Sequence, residues 1–396
     1  MKQSKCITKL NNLLTMIAGE PIDSVEIWYF IGTVILVGLK AIGMEEMQWP
    51  FKVMMVVAFV CILIKVILEK HKPIEYVIMG MLLIYGGWAV YTSESYGLLI
   101  IMFLVIGVKD ISLKKLFRCL AIEYAICFVV TIFFGLIGLR EGVVLVHEKF
   151  GMELVRRSLG YTHPNVLQIT YVILMALIIY ALDFHGKKLY KLLLGLFIGD
   201  IVIFAFSLSF TGMIMSAALF IAVLYFEIFH YGRQKELNKA ERIILQGWVP
   251  VTVLGFIVLA RTVEMYCSSI GDNTLYELMN KIFNMRTWCI NYYHYYIGYP
   301  IIGTDFKLPG VALDCSYGYA LFRYGIVFIV LIVAAYIMTM RYLIKNNRCV
   351  DIVIMMVFLF AGMSEPFMFN ASIKNLTIFM VGEWAYSNIQ RVEDKC

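Results

Sequence analysis

The chain has 396 residues, of which 61% are hydrophobic and only 16% charged, against about 25% charged in an ordinary soluble chain. A mean hydropathy of +0.80 excludes disorder, which needs low hydrophobicity and high charge, and leaves a soluble enzyme without the polar surface to cover itself. The net charge of +6 does not imply a nucleic-acid partner, because in a membrane protein the location of positive charge matters more than its sum.

These properties predict an all-α polytopic membrane protein, with 1–396 forming a single integral membrane domain. A spanning helix takes about 20 apolar residues, so about twelve would use about 240, close to the apolar fraction. In chain order the expected spans are 25–42, 51–68, 74–91, 96–108, 116–139, 166–182, 192–206, 211–229, 243–260, 317–340, 350–367 and 373–386. The fourth and seventh are short enough to be tilted, broken or merged, and the twelfth is the weakest, so the expected count is 10–12. Residues 1–21 have no apolar core long enough for a cleavable signal peptide.

The connecting segments alternate in character. Short basic ones carry Lys2/Lys5/Lys9, Lys70/Lys72, Lys109/Lys114/Lys115/Arg118, Lys187/Lys188/Lys191, Arg233/Lys235/Lys239/Arg242, Arg341/Lys345/Arg348 and Arg391/Lys395. They hold most of the chain's lysine and arginine, so the positive-inside rule places them and both termini in the cytoplasm. Two longer segments, 140–165 and 261–314, then face outward. Long outer loops suggest recognition or chemistry outside the membrane.

In the first of these loops, Arg156 and Arg157 precede Gly160-Tyr161-Thr162-His163-Pro164-Asn165. Pro164 suits the first turn of a helix, where its missing N–H costs nothing. The two arginines either touch lipid headgroups or form an anion site, since guanidinium forks match phosphate oxygens in pairs. In the second loop Arg286 is followed by Trp288, Tyr292, Tyr293, His294, Tyr295, Tyr296 and Tyr299. Such aromatics make either an interface belt or a sugar-binding groove, which needs flat apolar faces with polar tips. Asp314 opens the tenth span, as a helix N-terminal anchor or as a catalytic carboxylate. Lys65, Glu123, Asp200 and Arg323 lie inside spans. Charges there usually face the bundle interior; Arg323 is expected in a structural ion pair, for which Glu123 is a candidate, and Lys65 could snorkel from its span's inner end. Cys267 and Cys289, with Cys315 nearby, could form a disulfide or remain free thiols.

At these residues the sequence resembles the Wzy-like polysaccharide polymerases of the O-antigen ligase/polymerase superfamily, from about residue 116 to 388. Arg156/Arg157 with Gly160–Asn165 is similar to the "R…GF-x-HPN" stretch of Gram-positive capsule polymerases. Phe206-Ser207-Leu208-Ser209-Phe210-Thr211-Gly212 is similar to "S-x-S-R-T-G", Asn284-Met285-Arg286 to "S-G-R" and Ile302-Gly303 to "lfG". Leu313-Asp314-Cys315-Ser316-Tyr317 with Tyr324-Gly325 resembles "lDNsY…l…yG", and Gly362-Met363-Ser364-Glu365 resembles "g-x-x-E". Phe210 stands where many members carry arginine, and Cys315 where asparagine is common.

The resemblance implies a GT-C-like bundle and a glycosyltransferase of the bacterial cytoplasmic membrane. Such an enzyme joins oligosaccharide repeat units carried on undecaprenyl pyrophosphate into a surface polysaccharide. With the reading of the residues it gives the site: His163, Asp314 and Arg286 as catalytic candidates, and Arg156, Arg157, Asn165, Tyr317 and Glu365, with Tyr292 from the aromatic run, as pyrophosphate or sugar contacts. The partners are the lipid-linked donor and acceptor, the bilayer and a chain-length regulator protein. No nucleotide-binding loop or acidic metal pair is visible in the outer loops, so neither metal nor cofactor is expected. The competing expectations are a glycan ligase of the same superfamily, a lipid-linked oligosaccharide flippase, which would need charge along a central cavity rather than long outer loops, and a non-catalytic membrane scaffold.

Overall fold

The computed structural model describes residues 14–44, 48–149, 152–231, 236–304 and 311–393. The expected basic residues Lys2, Lys5, Lys9, Arg233, Lys235 and Lys395, and part of the 261–314 loop, lie outside them. Of the described residues 76% are helical. Among the described residues eight helices are long and apolar enough to cross a membrane, and the protein is an all-α, multi-pass membrane protein. The other four expected spans are helices of 16, 11, 13 and 17 residues. The chain divides into two compact units, Met1–His71 with Ile106–Lys235, and Lys72–Val105 with Glu236–Cys396.

The first unit contains α1 (Glu26–Ala41), α2 (Trp49–Leu68), α5 (Leu113–Leu136), a β-hairpin, α6 (Pro164–Leu182), α7 (Lys187–Ser207) and α8 (Phe210–Phe226). α1 and α2 approach closely at Gly32, where a Cβ would sit 2.9 Å from the Ala58 carbonyl oxygen; small residues allow such backbone contact between spanning helices. Lys65 on α2 does not snorkel: it is fully buried, donating to the Lys109 carbonyl at 2.5 Å and facing Glu69 at 2.9 Å. α6 is the most enclosed spanning helix. It starts where the sequence places it, with His163 as cap and Pro164 in the first turn. α7 stops at Leu208, which turns left-handed (φ 43°), and Ser209 then caps α8 through the Gly212 N–H.

The hairpin pairs β1 (Val144–Lys149) with β2 (Met152–Arg157) in an antiparallel register that sets Leu145 opposite Arg156 and Val144 opposite Arg157. It fills the loop at 140–165, for which the sequence reading gave no strand. Its base is closed by Ser158, whose hydroxyl donates to the Tyr161 carbonyl (2.5 Å) and accepts the Val143 N–H (2.7 Å).

The second unit contains α3 (Pro73–Ser93), α4 (Gly97–Gly107, whose last two residues fall to the first unit), α9 (Lys239–Ile270), α10 (Thr274–Ile282), α11 (Arg286–Ile297), α12 (Ser316–Lys345), α13 (Cys349–Ala361) and α14 (Thr377–Glu393). α12 is broken at Gly325 (φ 91°, ψ 173°). The backbone groups around the break are taken up by an extended segment: Gly303 N–H donates to Tyr324 O, and Ile326 and Val327 donate to Pro300 O and Ile301 O, at 2.8–3.1 Å. Non-helical backbone at membrane depth persists only where protein satisfies its polar groups in this way. At the opposite end of α12, Arg348 grips Asp351 (2.7 Å) and Glu383 (2.5 Å), tying α13 to α14.

Candidate functional site

The residues singled out in the sequence fall into two clusters, one in each unit. In the first unit the strand periodicity of β2 turns Arg156 and Arg157 to opposite faces. Arg157 is exposed and Arg156 half-buried. The Nε of Arg156 donates to the Ser207 carbonyl at 2.9 Å, and one terminal nitrogen donates to Asn165 Oδ1 at 2.5 Å. The Asn165 N–H in turn donates to His163 Nδ1 at 3.0 Å. Because Nδ1 accepts, the neutral His163 ring carries its proton on Nε2 and presents a donor there. Tyr161 is a structural neighbour: its ring is buried against Phe128, and burial pushes its hydroxyl pKa well up.

In the second unit Arg286 opens α11 and is only 5% exposed. Its Nε donates to the carbonyls of Ser364 (2.9 Å) and Asp314 (3.3 Å), and Nη1 to that of Asn284 (3.3 Å). Nη2 lies 3.9 Å from the Glu365 carboxylate. Ser316 closes the same knot: its N–H donates to Gly362 O (2.9 Å) and its hydroxyl to Glu365 O (2.5 Å). Asn284 and Met285, immediately before Arg286, are both left-handed, with φ 47° and 67°. Two consecutive non-glycine residues in that region store strain of about 1–3 kcal/mol each, and such strain clusters at sites where geometry is imposed.

The Asp314 side chain is exposed beside this knot. Tyr317 is not: it is fully buried and its hydroxyl donates to the Leu359 carbonyl, so in this arrangement it serves packing rather than ligand contact. Tyr292 belongs to an aromatic ladder on α11, stacked on Trp288 (ring centroids 5.0 Å) and against Tyr296 (4.8 Å), with Tyr295 and Tyr296 exposed. His294 faces the other way, with its Nδ1 buried; burial and the nearby Arg261 hold its pKa down. Arg323 lies over the Tyr319 ring and donates to its hydroxyl at 3.1 Å.

Cys267, Cys289 and Cys315 are buried free thiols. Burial pushes Cys289 up to about 11 and Cys315 up to about 12. Among the described residues no group of three or more His, Cys, Asp or Glu is placed to hold a metal ion.

Three participants escaped the sequence reading as site residues. Ser207 and Ser364 act through backbone carbonyls, which carry no residue signature; Gln168, whose Oε1 accepts from the Ser207 hydroxyl at 2.7 Å, is a lone amide in an apolar span and had a visible signal. Comparison of the chain with protein-family models, with curated proteins and with solved structures finds no match.

Proposed function

We propose that the chain is a membrane glycosyltransferase that polymerises undecaprenyl-pyrophosphate-linked repeat units into a surface polysaccharide. In this reading it crosses the bacterial cytoplasmic membrane about twelve times, with both termini inside and the 140–165 and 261–314 segments outside. The observation that carries the reading is the convergence of motif pieces far apart in sequence. Arg286, Asp314–Ser316 and Gly362–Glu365 tie into one knot, and Arg156, His163–Asn165 and Ser207 into another. These are pieces on which the resemblance to the polymerases rests, and packing of unrelated loops gives no reason for them to meet in this way.

The reaction breaks the bond between the anomeric carbon of the growing chain and its pyrophosphate, and forms a bond from that carbon to a hydroxyl of the next lipid-linked unit. The hydroxyl proton passes to a base, and the lipid pyrophosphate leaves with the bonding electrons. Donor and acceptor each bear a pyrophosphate, and the reading assigns Arg156 and Arg286 to these anions, because guanidinium groups stabilise charge developing on oxygen. Asp314 is the assigned base: it is exposed, whereas His163 uses its Nδ1 lone pair to cap α6. His163 is then a hydrogen-bond donor to a phosphate oxygen. The Trp288–Tyr292–Tyr296 ladder offers the flat faces on which sugar rings stack.

Deleting the gene tests the reading in cells. Lipid-linked single repeat units should accumulate and long polymer should vanish. Normal polymer in the deletion strain, or loss of the repeat unit from the outer face altogether as for a flippase, contradicts it.

A further inference from the structure

We infer that Asp200 is a positioning residue for Arg156, holding from inside the membrane-spanning part of the first unit the helix break on which the guanidinium rests. The inference rests on the assignment of Arg156 to a lipid pyrophosphate.

Asp200, Gln168, Ser207 and Ser216 are all fully buried and come from three helices, α7, α6, α7 again and α8. Asp200 lies seven residues before the end of α7, about 10 Å along its axis. An ionisable group at such a position is costly and marks function more often than stability. An apolar core would pack the three helices at least as well. The described partners of Asp200 are neutral. Gln168 Nε2 and Ser216 Oγ both donate to Oδ1, at 2.6 and 2.8 Å, while Oδ2 is buried with no hydrogen-bond partner.

The polarity of this network runs in one direction. A carboxylate oxygen at Oδ1 accepts, so the Gln168 amide turns Nε2 toward Asp200 and Oε1 toward α7's end. Ser207 Oγ–H donates to that Oε1 at 2.7 Å, and Ser207 Oγ itself accepts the Ser209 N–H at 3.3 Å. Both sides of the left-handed Leu208 are thereby fixed. The Ser207 carbonyl is left aimed at Arg156 Nε, 2.9 Å away. With Asn165 Oδ1 on a terminal nitrogen, two points set the plane of the guanidinium. Bidentate recognition of a phosphate depends on that plane.

The test uses the purified full-length protein in nanodiscs with undecaprenyl pyrophosphate as probe. Asp200→Leu removes the acceptor, and Asp200→Asn keeps an oxygen at Oδ1. Asp200→Leu should weaken probe binding by about tenfold to a hundredfold, by analogy with the loss when the residue supporting a metal ligand is removed. Asp200→Asn should bind as wild type. Adding Asp200→Leu to Arg156→Ala should cost nothing more, since both act through one group. Hydrogen exchange across Ser207–Gly212 should quicken in Asp200→Leu and not in Asp200→Asn. Wild-type binding by Asp200→Leu, fully additive losses in the double variant, or unchanged exchange each overturn the inference while Arg156→Ala remains defective. Wild-type binding by Arg156→Ala overturns the pyrophosphate assignment itself, and the positioning role with it. Should Asp200→Leu fail to insert, Gln168→Leu cuts the network at its next link and is judged by the same outcomes.

Discussion

Arg286 is held by three carbonyls and faces a carboxylate, so its role depends on the planar fork rather than on charge alone. A lysine point charge does not reproduce that fork. Arg286→Lys should insert normally yet lose about 10²–10³ in polymerisation rate, the cost of one lost donor to a developing oxyanion; wild-type chain lengths at normal expression contradict the assignment. The base is separable by turnover and binding assays on purified protein. Asp314→Asn should lose turnover while still binding donor. His163→Asn keeps an N-cap oxygen and loses only a donor to phosphate, so it should keep measurable turnover. If the two variants exchange these behaviours, the base is His163. Cys289 and Cys315 carry thiol pKa values raised by burial to about 11 and about 12. At pH 8 a thiol near 11 is about 10⁻³ thiolate, and the thiolate is the reactive form. Both should therefore resist maleimide in the folded protein and label more readily as pH rises. Rapid labelling at pH 7 places them in a different environment.

At the scale of elements, the sequence made the long helices legible because apolar runs of 18 or more residues have few other uses. All eight long spanning helices correspond to expected spans. The break in α12 was not legible, although Tyr324-Gly325 stood out as a motif piece, because what defines it is the pairing of Pro300–Gly303 with the opened backbone. A Cβ on Gly325 would lie 2.5 Å from the Ile301 carbonyl oxygen, at a φ and ψ that side chains do not adopt. Gly325→Ala should lower thermal stability in detergent by at least about 1–3 kcal/mol, or displace the segment from the helix; an unchanged melting temperature argues against the break. The β-branched residues around Val143–Val146 favour a strand, but a run this short between two spans is not distinguished by periodicity from a loop. The hairpin's exposed Val146 offers a site for a single cysteine. Val146→Cys should react with a membrane-impermeant thiol reagent in intact cells, and labelling only after permeabilisation reverses the proposed orientation.

At the scale of the molecule, hydropathy shows that the chain spans a membrane but not how its helices group. Residues 72–105 belong with the C-terminal part although they are flanked by helices of the first unit, and no change in composition marks those crossings. The two polar knots were legible as a set of residues, through their order along the chain. Their internal wiring was not, because much of it runs through backbone oxygens of Ser207, Asp314 and Ser364. Polymerisation is tested by supplying the purified protein in nanodiscs with a defined lipid-linked repeat unit and resolving the products by length. The expected product is a ladder of glycans growing by whole repeat units, with one undecaprenyl pyrophosphate released per bond formed, and the ladder should be lost in Arg156→Ala and Arg286→Lys. Intact lipid-linked units with no ladder, under conditions where the protein remains folded and binds them, would contradict it.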